Sequence, residues 1–139
     1  MPISRDTDLT SSDPGGAAPP PALPQRLRRW AVTARDQAAV SALTEEAGLL
    51  GRDDIRLVLV REDTATGLRC DWSALARQLY VLELSAAERV FLGFVLSMAG
   101  SHQTALSRVQ ELDEARLAIV LRALVRLSGN GRIAVGTRV

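Results

Sequence analysis

Between Leu27 and Leu50 the larger apolar and small residues recur at helical intervals. Leu27, Trp30, Ala31, Ala34, Ala38, Leu43, Ala47 and Leu50 fall near one face, and Arg29, Asp36 and Glu46 fall opposite. The spacing predicts a helix over 27–50 with Gly51 as its stop. The alternation in Arg29-Trp30-Ala31-Val32-Thr33 admits, as the less favoured alternative, a strand over 28–34 followed by a helix from Asp36. Ile55–Arg61 is short, branched and apolar, with turn-forming residues on both sides, and predicts a strand. Glu62 to Gly67 then reads as a hairpin loop and Leu68-Arg69-Cys70 as the returning strand. Two strands alone are marginal, so the hairpin must lean on helices. Asp71 is placed to cap a helix over 72–81, with Trp72, Leu75 and Leu79 turned inward.

The sharpest local signal is Ser85-Ala86-Ala87-Glu88, a capping box. The helix it opens carries Phe91, Leu92, Phe94, Val95, Leu96 and Met98 on nearly all faces, so it is expected to be the central buried helix. Gly93 and Ser97 form a small-residue strip where another helix can come close, and Gly100 ends the segment. The stretch Gly100–Leu106 leads into a short amphipathic helix over 104–112, with Ala105, Leu106, Val109 and Leu112 at helical spacing. Asp113 then caps a third helix, 114–128, which Gly129-Asn130-Gly131 stops. Ile133-Ala134-Val135 reads as a short strand.

Composition adds a boundary. All 6 prolines lie in the first 24 residues, among Ser, Thr and Gly and few apolar side chains. Such a segment cannot bury enough apolar area to offset its ordering entropy, so 1–24 is expected to be a disordered leader. The rest, 25–139, is expected to be one compact domain, divided into 25–83 (N-terminal helix, hairpin, connecting helix) and 84–139 (three helices and a strand). The fold class expected is mainly α with a small β component, a helical bundle.

Charge narrows the partners. The net charge is +1, which gives no general attraction to nucleic acid. Residues 101–139 are mildly basic, with six arginines against three acids. Lysine is absent and all 17 basic residues are Arg, as GC-rich bacterial coding produces, so arginine abundance by itself says little about phosphate binding. A single cysteine, Cys70, allows no internal disulfide. No charged-then-apolar leader opens the chain, and the longest dense apolar run, 90–98, is too short for a bilayer. The expected location is the cytoplasm, with no membrane attachment.

With these pieces in order, residues 84–138 resemble a winged helix-turn-helix domain. "LSAAERVFLGFVLSMAG" is similar to its first helix, "HQTALSRVQEL" to its second, "DEARLAIVLRALVRLSGNG" to its third helix with the exit turn, and "RIAVGTRV" to a first wing strand. The third helix is longer and more apolar than usual, and the chain ends before a second wing strand. The resemblance implies that Asp113, Glu114, Ala115 and Arg116 would meet base edges. Two acids there are unfavourable.

On the third helix, Leu117, Val120, Leu121, Leu124, Leu127 and Ser128 are assigned inward, leaving Ala115, Ala118, Ile119, Arg122 and Arg126 as the outward face. That mixture of small, apolar and Arg positions suits a protein surface, whereas base reading calls for more polar reach. Arg132 and Arg138 near the wing keep DNA in view, because wing arginines can enter a minor groove.

The catalytic inventory is thin. His102 is the only histidine, and Cys70 has no second cysteine for a zinc site. No GxSxG, HExxH, Walker or dinucleotide motif occurs. Asp53, Asp54, Glu62 and Asp63 flank the candidate strand as caps and turn residues. The expectation is therefore no enzyme, cofactor, metal or small-molecule ligand. The expected function is a regulatory or adaptor protein that binds a protein partner or itself. The alternatives are a winged-helix DNA-binding regulator and an accessory subunit of a larger assembly.

Overall fold

The computed structural model describes residues 22–65 and 67–138. The leader's residues 1–21 lie outside the described residues, while Leu23 and Pro24, assigned to the leader, form the first turn of a helix. The elements are α1 (Leu23–Trp30), α2 (Ala34–Glu46), α3 (Asp53–Leu59), β1 (Val60–Asp63), β2 (Gly67–Cys70), α4 (Trp72–Gln78), α5 (Ala86–Met98), a 3-10 helix (Leu106–Glu111) and α6 (Glu114–Ser128). The protein is mainly helical with a two-stranded antiparallel sheet among the described residues.

The helix expected over 27–50 is two helices, and the strand alternative at 28–34 does not form. Ala31 turns to extended backbone after α1, and the Thr33 side chain accepts the Asp36 N–H at 3.1 Å, starting α2 afresh. Pro24 suits the first turn of α1 because its missing N–H has no intrahelical partner there. The far end of α2 closes on Ala47, a non-glycine residue at φ 69°, while Glu46 Oε1 accepts the Leu49 N–H at 2.8 Å.

The strand expected from Ile55 begins only at Val60, because 53–59 is helical. Asp53 and Asp54 sit in the first turn of α3, where the helix dipole favours acids. Ile55 and Leu59 point into the core four residues apart, and Leu57 between them is 76% exposed. β1 and β2 pair as expected for a hairpin, with Val60 opposite Cys70 and Asp63 opposite Gly67. Asp71 accepts the Ala74 N–H at 3.0 Å and caps α4, which ends three residues earlier than its predicted limit.

The capping box of α5 is complete. Ser85 Oγ accepts the Glu88 N–H at 3.1 Å, and Glu88 Oε1 accepts the Ser85 N–H at 2.8 Å. Phe91, Leu92, Val95 and Leu96 are fully buried, so α5 is central, as its pattern predicts. Arg89 of α5 donates to the carbonyls of Leu79, Leu82 and Leu84, tying down the α4–α5 connection. Trp72 is buried and its Nε1 donates to Asp36 Oδ1 at 2.9 Å, fastening α4 to α2; Trp30 is half-buried against the same core. The small strip on α5 receives a loop where a helix was expected. Ser97 Oγ donates to the Gly93 carbonyl at 2.8 Å and meets Thr104 Oγ1 at 3.0 Å.

After Gly100, at φ 86°, the chain departs from its predicted course. The amphipathic helix expected over 104–112 is the 3-10 helix Leu106–Glu111, bounded by extended Ala105 and Leu112. Asp113 does cap α6, accepting the Arg116 N–H at 2.8 Å, and Gly129 closes it at φ 76°. Ile133–Val135 forms no strand, and the sheet stays at the two strands of the hairpin among the described residues.

Candidate functional site

Among the described residues the most extensive contact between elements joins α6 to α2. It corrects the inward face assigned to α6. Ala118 and Ile119, expected outward, are buried with Val120 and Ala123, whereas Leu121 and Leu124, expected inward, are 40% and 38% exposed. The physical reason is helix separation. α2 buries Ala38, Ala39 and Ala42, and α6 buries Ala118 and Ala123, so small residues occupy the close contact and larger leucines are left outside it. Ala115 is exposed, as expected.

The two helices run antiparallel, and their ion pairs record the register. Arg116, near the start of α6, reaches Glu46 Oε2 at 3.0 Å near the end of α2. Arg122 reaches Glu45 at 2.8 Å. Arg116 also holds Asp113 at 2.6 Å. The Arg116 N–H and guanidinium bonds lower the Asp113 pKa below the usual carboxylate range. Burial opposes the charge of Arg116, but its hydrogen bonds to Asp113 and Glu46 outweigh that and raise its pKa. Arg126 makes no ion pair among the described residues.

A groove of ≈ 460 Å³ lies on the C-terminal half of α6, and Leu121 and Leu124 are outside its lining. Its lining includes Arg122, Val125, Arg126, Ile133 and Val135, so the segment after Gly129 forms one wall. Ile133 is 54% exposed. The structure thus brings Arg122 and Arg126 together at one groove and separates them from Ala118 and Ile119. Arg132 and Arg138 are exposed in the C-terminal segment, and the Arg132 N–H is held by Asn130 Oδ1 at 2.8 Å.

The two reactive side chains lie in separate surroundings. Cys70 is buried, and burial, followed by the nearby Asp36 charge, pushes its thiol up to about 12. His102 lines a cavity of ≈ 140 Å³ with Tyr80, Thr104 and Arg108, its ring 6.4 Å from that of Tyr80. A thiol so held is neutral at physiological pH and is a weak nucleophile. Among the described residues no helix is long and apolar enough to cross a membrane. Comparison with family models, curated proteins and solved structures returned no match.

Proposed function

We propose that this protein is a non-enzymatic regulatory or adaptor module, and that it captures a segment of a partner protein along the outer side of α6. The observation that carries the reading is a groove walled by Val125, Ile133 and Val135, in which Ile133 is 54% exposed. Apolar area left in water beside a concavity favours covering by a partner. Arg122 and Arg126 line the same groove, and Arg with aliphatic side chains is a mixture found at protein interfaces. The partner segment that fits presents aliphatic side chains flanked by Asp or Glu.

A second reading is a winged-helix DNA-binding regulator. The order of α5, 3-10 helix and α6, followed by exposed Arg132 and Arg138, favours it. Against it, Arg116 and Arg122 are neutralised by α2 acids, and Asp113 and Glu114 head the helix that would meet the phosphates.

Peptide selection from a random displayed library separates the two. The first reading expects enrichment of aliphatic–acidic peptides whose binding is lost in Val125→Asp/Ile133→Asp. Selected peptides indifferent to those changes, or none selected, would overturn it. Fluorescence anisotropy of a labelled duplex, titrated at low and then moderate salt, decides the second. Binding that falls steeply with salt and weakens in Arg132→Gln would support it, and flat anisotropy would remove it.

A further inference from the structure

The α2–α6 ladder has a third rung that lacks its acid. Arg116 meets Glu46 and Arg122 meets Glu45, each arginine one to two turns further along α6 and its partner further back along α2. One turn beyond Arg122, Arg126 lines a cleft of ≈ 340 Å³ together with Ser41 and Gln37, which lie one and two turns back from Glu45. Arg28, from α1, lines the same cleft. Neither Arg28 nor Arg126 has an ion-pair partner among the described residues, and no acid appears in the lining. The half-buried Ser41 side chain also has no hydrogen-bond partner among them. The floor is apolar, from buried Ala31 and Val40.

Two permanent positive charges from separate helices, with a hydroxyl beside them and an apolar floor, match one ligand chemistry. Guanidinium groups bind tetrahedral oxyanions through paired N–H donors, and a dianion satisfies two of them. The cleft has the size of a small-molecule site, at the lower end of the range of roughly 300–1,000 Å³. We propose that this cleft binds the phosphate group of a small phosphate monoester. Arg28 and Arg126 hold the phosphate oxygens, Ser41 Oγ donates to one of them, and the organic remainder lies on Ala31 and Val40. The site is distinct from the α6 groove, although Arg126 borders both.

The test is an amide and arginine-side-chain NMR titration of the full chain at fixed ionic strength. The probes are inorganic phosphate and adenosine monophosphate, with adenosine as the neutral control. The expected result is saturable shifts at Arg28, Gln37, Ser41 and Arg126 with both phosphates and none with adenosine. Arg28→Gln and Arg126→Gln should each weaken apparent affinity about tenfold, the usual consequence of losing a charged hydrogen-bond donor. Ser41→Ala should weaken it less. Arg77→Gln removes an exposed arginine on α4, away from the cleft, and should leave affinity unchanged. Absence of saturable shifts at these residues with both phosphates would overturn the proposal. So would equal weakening by Arg77→Gln. Because Arg28 and Ser41 are outside the α6 groove, their variants keep peptide capture, and Ile133→Asp keeps phosphate binding, so the two sites fail separately.

Discussion

Arg116 and Glu46 meet at 3.0 Å between α6 and α2, and the Glu46 side chain is only 8% exposed. Both oxygens of Glu46 are engaged, one by Arg116 and one by the Leu49 N–H that follows α2. One carboxylate therefore fixes the end of α2 and the approach of α6 together.

Glu46→Ala should destabilise the fold by about 2–3 kcal/mol, between the small value of an exposed pair and the larger cost of breaking a buried one. Glu46→Gln keeps an oxygen for Leu49 and should cost less. Urea denaturation of the two variants measures this. Equal losses would mean that the Leu49 bond contributes nothing.

Asp113 gives a pH signature. Its folded pKa is lowered by the Arg116 N–H bond and then by the Arg116 side chain. A lowered carboxylate pKa adds stability above the unfolded value of about 3.9, and that stability is lost as pH falls through the folded pKa. Asp113→Asn keeps a good cap and removes the charge. The stability difference between wild type and this variant should be present at neutral pH and shrink below about pH 4. A difference independent of pH between neutral and strongly acid conditions would refute the lowered Asp113 pKa.

Burial makes Cys70 a reporter of unfolding. Its pKa is raised from 9.0 to about 12, so the thiolate fraction near neutrality is about a thousandfold below that of an unperturbed thiol. Native protein should react with a disulfide reagent only through opening, at a rate that rises with denaturant. A raised thiol pKa also favours the unfolded state at high pH. The contribution is intact below the unfolded thiol pKa and is lost as pH climbs from about 9 towards 12. Fast stoichiometric labelling of the native chain would contradict this burial.

What the sequence made legible was largely what neighbours in the chain decide. Asp71, Ser85 and Asp113 cap the helices they were expected to cap, because a cap is a bond within three residues. Thr33 is the same kind of signal. It was obscured because the apolar period runs on from Leu27 through Ala38 across the break. Ile55, Leu57 and Leu59 satisfy both a strand's alternation and, through Ile55 and Leu59, a helix's spacing of four. The acids at 53 and 54 favour the helix. The inward face of α6 was not legible, since it follows from the small residues of α2 and not from the size of those on α6 itself. The convergence of Arg28, Ser41 and Arg126 was hidden for the same reason, as it exists only after three helices have packed.

The capping box sets a separate expectation. Ser85→Ala removes the acceptor of the Glu88 N–H at the head of the most buried helix, and should cost about 1 kcal/mol. Ser85→Asp, which restores an acceptor and adds a favourable charge, should recover most of it. Thermal or urea unfolding measures both, and a loss in Ser85→Asp equal to that in Ser85→Ala would show that the cap is not the cause.

Gly93 carries the last prediction. A Cβ built there lies 3.0 Å from Thr104 Oγ1, and that oxygen is itself held by Ser97. Alanine inside a helix normally gains about 1 kcal/mol over glycine. Here the gain is opposed, because Thr104 Oγ1, hydrogen-bonded to Ser97 Oγ, must give way to the added methyl. Gly93→Ala alone should therefore be destabilising. Thr104→Ala removes the obstructing oxygen, and in that background Gly93→Ala should turn neutral or stabilising. A double-mutant cycle reads the coupling directly. If the two changes are additive, the loop does not press on α5 at this point, and the glycine is there for a reason other than close approach.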